Sequence, residues 1–170
     1  MRSTARELPT IIGLSPVATN DSDPERPGYK LPWTGSYVWR KLEKPLGIGR
    51  GELGRYFRLA NCVDRYSTKH ETEPPSTEEL LAGFRRVVAS GTEFILMWSR
   101  LQAIAGMAYG LRHPKHPDSF WIPITDATPL RVVHPETGVR QTFYTCRYPT
   151  AAAAISPRDL GLLKRLGNIP

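Results

Sequence analysis

The chain has few cysteines, two in 170 residues, and that excludes a disulfide scaffold and a four-cysteine zinc site. Cys62 and Cys146 lie far apart, and nothing in their spacing demands a bridge, so reduced thiols are expected. There is no run of five or six like charges, which excludes a basic tail of the kind that coats nucleic acid. The first ten residues, Met1 to Thr10, hold Arg2 and Arg6 but no apolar core, so no secretory signal is read there. No nucleophile elbow, P-loop lysine or zinc-protease helix occurs. Catalytic, cofactor-binding and metal-ligating residues are therefore all expected to be absent.

What is abundant is proline and glycine, 16 and 14 residues, together with basic charge. The proline-glycine excess predicts much irregular backbone. The net charge of +7 favours acidic partners: nucleic acid, anionic lipid or acidic protein. Residues 36–70 carry eight cations against three anions, and residues 131–170 carry six against two.

Residues 1–33 contain five prolines and no period of either regular kind, and read as an extended arm. Residues 34–117 read as a helical region. A short helix runs from Tyr37 to Lys44 and ends at Pro45. Leu53, Tyr56, Phe57, Ala60 and Val63 then recur at helical spacing, with Arg50, Arg55, Arg58 and Arg65 around the polar side. Ser76 and Glu79 form a capping box ahead of a helix whose apolar face is Leu80, Leu81, Phe84, Val87 and Val88. Residues 118–150 read as a strand and hairpin region turning at Pro135 to Gly138. Residues 151–170 hold a C-terminal amphipathic helix. Ser156 caps it, Pro157 opens it, Asp159 lies in its first turn, Lys164 and Arg165 lie in its last, and Gly167 closes it. The expected fold is mainly α with a small β-hairpin, an irregular α+β chain with three to five helices.

Two motifs invite chemistry. Gly49-Arg50-Gly51-Glu52-Leu53-Gly54 fits the G-x-G-x-x-G pattern, but Lys44-Pro45-Leu46 precedes it where a dinucleotide site needs a buried strand. A helix connector is the better reading. His113 and His116 flank Pro114-Lys115, and the prolines exclude the helix on which two histidines so spaced would ligate a metal.

Residues 94–111 form the most apolar stretch, and as a helix they would span about 27 Å. That is just enough for a thin hydrocarbon layer, although Arg100 near the middle offsets most of the insertion energy. Ser99, Ala103, Gly106 and Gly110 make a small-residue stripe suited to helix packing, with Arg100 beside it. Arg112 and Lys115 would meet lipid headgroups.

The leading expectation is a non-catalytic accessory subunit of a large organellar membrane complex, a mitochondrial respiratory-chain or ATP-synthase assembly in the inner membrane. Its partners would be other subunits and anionic lipid. The alternative is a peripheral ribosomal or ribonucleoprotein protein of an organellar matrix or the cytoplasm. It would bind RNA phosphates through the basic-aromatic helix 50–69, by way of Arg50, Arg55, Arg58 and Arg65.

Overall fold

The computed structural model describes residues 5–14, 42–63, 75–124, 128–147 and 154–170. Five strands form one sheet: β1 Thr10–Gly13, β2 Arg58–Asn61, β3 Glu93–Leu96, β4 Leu130–Val133 and β5 Arg140–Thr145. Their order is β2-β1-β3-β5-β4. The first four in that order are mutually parallel, and β4 closes one edge antiparallel to β5.

Helices lie on both faces. α1 comprises residues 42–46 and α2 Leu53–Tyr56. α3 spans Thr77–Val88, α4 Ser99–Tyr109 and α5 Pro157–Gly167. Alternate strand residues point to opposite faces. Ile12, Phe94, Leu96 and Phe143 pack against α3 and α4 through Leu80, Phe84, Leu101 and Ile104. Ile11 and Ile95 pack on the other face against Leu42, Leu46, Leu53, Phe57, Leu163 and Leu166. The result is a three-layer α/β arrangement.

This corrects the expected mainly helical fold. Parallel strands covered on both faces read as short continuous apolar runs and lose the alternation that marks a half-exposed strand. Thr10–Gly13, inside the expected arm, is a fully buried strand flanked by β2 and β3. The rest of that arm beyond Leu14 lies outside the described residues, as does Tyr37 to Lys41 of the first expected helix.

The expected membrane helix 94–111 is two elements. Glu93–Leu96 is a strand, Trp98 is extended, and α4 begins only at Ser99. Among the described residues no helix is long and apolar enough to cross a membrane. Residues 50–61 of the expected helix 50–69 are likewise a glycine turn, the single helical turn α2 and then β2, and residues 64–69 lie outside the described residues.

Three readings agree with the structure. Ser76 Oγ accepts from the Glu79 amide at 3.1 Å at the start of α3. β4 and β5 form a hairpin around the turn at residues 135–137. Ser156 Oγ accepts from the Asp159 amide at 3.1 Å, with Pro157 opening α5. Gly167 is still helical, however, and the left-handed residue that ends α5 is Asn168 at φ 54°. Gly167 is small for another reason: a Cβ there would lie 2.8 Å from the Phe57 ring.

Candidate functional site

The chain runs from β1 outward to β2, then crosses back over β1 to reach β3. In open parallel sheets that reversal leaves a crevice between the two inner strands at their carboxyl ends, where ligands bind. Here the crevice lies between the ends of β1 and β3. The residues around it are Gly13 and Leu14 on β1, Asn61 and Cys62 on β2, Met97 and Trp98 after β3, and Cys146 and Arg147 after β5.

Asn61 is the unusual member of that edge. It is 7% exposed, and its Nδ2 makes no hydrogen bond among the described residues. Buried amide donors are nearly always paired, and leaving one unpaired costs about 1–3 kcal/mol. Asn61 pairs in register with Gly13, which adds no side chain to the same row of the sheet.

Trp98 is half-buried and packs against the apolar clusters on both faces of the sheet. It also occupies the N-cap position of α4 without a side-chain capping hydrogen bond, and the first turn of α4 has no acidic residue. The positive end of that helix dipole is therefore not neutralised by its own turn.

Asp159 borders the edge from α5. It is 5% exposed, its Oδ2 accepts from the Arg147 amide at 3.1 Å, and its Oδ1 has no partner. Cys62 and Cys146 are both buried, and no disulfide joins them. Burial pushes the Cys62 thiol up to about 12, with the nearby Arg86 guanidinium opposing it.

The residues singled out from sequence are dispersed. Ser99 and Arg100 are exposed in the first turn of α4, at the crevice edge, and the Arg100 guanidinium donates to the Pro75 carbonyl at 2.9 Å. Within the small stripe Gly106 lies against backbone: a Cβ there would lie 2.3 Å from the Trp121 nitrogen. The chain returns along α4 there, with the Ile122 amide donating to the Gln102 carbonyl at 3.0 Å. Ala103 is half-buried, and Gly110 caps α4 at φ 67°.

The basic residues do not form one helical face. Arg50 is exposed in the glycine turn, and Arg55 pairs with Glu52 at 3.1 Å. Arg58 donates to the Val87 carbonyl at 2.7 Å and to Ser90 Oγ at 2.8 Å, closing the end of α3. Arg65 lies outside the described residues. Arg112 stacks 3.8 Å over the Phe120 ring, and Lys115 is exposed in the loop between them.

The glycine-rich loop holds an internal anion. The Gly51 amide meets both oxygens of the Glu43 carboxylate at 3.0 Å, and the Leu53 amide donates to Oε1 at 3.1 Å. Amides that a pyrophosphate would need are already bonded. In the histidine loop, His113 Nδ1 accepts from the Lys115 amide at 3.0 Å, which leaves that nitrogen unavailable to a metal. Among the described residues no group of three or more His, Cys, Asp or Glu is placed to hold a metal ion.

A cavity of about 420 Å³ opens at the opposite, amino edge of the sheet, between Glu7, Leu8, Gly54 and Phe57–Leu59. Its polar groups are engaged: Glu7 accepts from Thr92 Oγ1 at 3.2 Å, and Arg58 closes α3.

The fold and crevice define an open parallel α/β protein. No protein-family model matches the chain, and no curated protein or solved structure is significantly similar to it.

Proposed function

We propose that the chain binds a nucleotide unit of a single-stranded nucleic acid at the carboxyl edge of its sheet. The observation that carries this reading is Asn61 at the carboxyl end of β2, a buried amide donor without a partner among the described residues. A side-chain amide offers a donor and an acceptor side by side, which matches the edge of a nucleobase. Trp98 supplies an aromatic surface at the same edge, two strands across the sheet from Asn61, and bases stack on such surfaces irrespective of sequence. The positive end of α4 and the net charge of +7 favour the phosphates.

The nucleic-acid expectation thus keeps its ligand class and changes its site, from a basic helix to a sheet edge. The accessory-subunit expectation drew on the proline-rich arm and the basic flanks as well as on a candidate spanning helix at 94–111. With β3 and α4 in its place, no observation favours that expectation over the crevice.

Fluorescence anisotropy with fluorescein-labelled single-stranded RNA and DNA oligonucleotides tests the proposal. Binding should weaken as salt rises, because phosphate contacts release counterions. Asn61→Ala should lower affinity about tenfold while the melting temperature holds. No binding of either oligonucleotide at low salt would sink the reading.

A further inference from the structure

The carboxyl edge holds a second feature that packing does not explain. β3 and β5 pair in parallel with Leu96 opposite Thr145, and the ladder continues through the Cys146 amide, which donates to the Leu96 carbonyl at 3.0 Å. Arg147 and Trp98 each lie two residues beyond the last paired residues of β5 and β3. Arg147 is exposed, and among the described residues its guanidinium has neither an ion-pair nor a hydrogen-bond partner. Its backbone is held firmly: the amide donates to Oδ2 of the buried Asp159 at 3.1 Å.

This use of Asp159 is uneconomical as simple helix capping. Ser156 already caps α5 by accepting from the Asp159 amide. The Asp159 carboxylate instead leaves its own helix to bond the Arg147 amide, two residues beyond β5, and its other oxygen is unpartnered among the described residues. A buried carboxylate is a costly group with which to fix one amide. What it fixes is the point where Arg147 departs from β5, at the same edge of the sheet as Trp98 and the N-terminus of α4.

We infer that Arg147 is a phosphate-binding residue of the carboxyl-edge site and that Asp159 is its positioning residue. The inference rests on the nucleotide-binding reading and adds to it the residue that takes the backbone phosphate. A guanidinium suits that task because its fork of donors matches two phosphate oxygens at once. Asn61 reads the base on the β2 side of the crevice, and Arg147 holds the phosphate on the β5 side.

The test uses the full chain and the same labelled single-stranded oligonucleotides, with affinity measured across a salt series. Arg147→Gln should weaken binding about five- to tenfold at low salt. It should also reduce the slope of log affinity against log salt by about 0.7, the loss of one phosphate contact on a single strand. Arg147→Lys should keep that slope. Asp159→Asn should lower affinity in the same direction, and the double variant R147Q/D159N should bind no worse than R147Q alone, because Asp159 acts through Arg147. Both Arg147 variants change an exposed side chain, so their melting temperatures should match the parent even if Asp159→Asn loosens the fold. If Asn61→Ala weakens binding while Arg147→Gln leaves affinity and slope unchanged, the role of Arg147 is overturned and the nucleotide reading survives. If the unaltered chain binds no oligonucleotide, both fall together.

Discussion

The amide of Gly51 meets both carboxylate oxygens of Glu43 at 3.0 Å, and Glu43 is 3% exposed. Gly51 adopts φ 81°, a left-handed conformation in which its amide can turn inward to the carboxylate. Glu43 therefore ties α1 to the turn before α2 and seats Leu42, Leu46 and Leu53 against the sheet. Glu43→Ala should cost about 2–4 kcal/mol, since it removes charge-assisted bonds and strands the buried Leu53 amide. Urea unfolding of the two proteins checks this. Added acetate or phosphate should restore part of the loss, by supplying the missing anion.

Three glycines should respond differently to the same methyl group. A Cβ on Gly83 would lie 1.7 Å from the Cys62 carbonyl oxygen, and one on Gly106 would lie 2.3 Å from the Trp121 nitrogen. Both neighbours are backbone and cannot swing aside. Gly83→Ala and Gly106→Ala should each destabilise by about 3 kcal/mol or more. Gly54 has nothing within 4 Å of its Cβ position and lies in α2, so Gly54→Ala should be neutral or stabilising by up to about 1 kcal/mol. Thermal melts of the three variants give the order directly.

Alkaline pH should weaken the fold. Burial raises the Cys62 thiol from 9.0 to about 12 and also raises the Tyr109 hydroxyl. Between pH 9 and 12 the unfolded chain releases protons that the folded chain retains, so stability falls as pH rises through that window. Cys62→Ser should flatten part of the decline. In the folded protein the Cys62 thiol should react with a disulfide reagent at pH 8 far more slowly than in denaturant, a rate that absorbance follows.

His134 organises the hairpin tip. Its Nδ1 accepts from the amides of Glu136 and Thr137 at 3.2 and 3.1 Å, and its ring meets the edge of Tyr109. Tyr109 in turn donates to Gln141, whose Nε2 donates to the Val88 carbonyl at 2.8 Å. His134→Ala should cost about 1–3 kcal/mol, and hydrogen exchange should quicken first at Glu136 and Thr137.

Local signals in the sequence were readable where one element settles its own limits. Ser76 with Glu79, and Ser156 with Pro157, announced α3 and α5 because capping is chemistry within four residues. The Pro135–Gly138 turn announced the hairpin. The parallel strands were hidden because their partners are remote. Glu93–Leu96 runs almost directly into α4, and a four-residue apolar strand followed by an apolar helix imitates one longer helix. The break was marked by Gly91 ahead of β3 and by Ser99, a better helix-starting residue than any in Phe94–Trp98. Of the candidate site, Ser99 and Arg100 were noticed, for a different reason. Asn61 was not noticed, since one asparagine after Arg58-Leu59-Ala60 means nothing until β2 is known to end there. Arg147 and Asp159 share a site only through pairing of β5 with β3 and the packing of α5.

The placement of β1 also dictates how the protein can be made. Its partners are Arg58–Asn61 on one side and Phe94–Leu96 on the other. Roughly 50 residues must leave the ribosome before the first of these neighbours exists, a delay of several seconds at about 5–20 residues per second. During that wait Thr-Ile-Ile-Gly is an exposed, uncharged apolar segment with both edges open. Holding it apart from other chains is a natural task for a chaperone acting during translation.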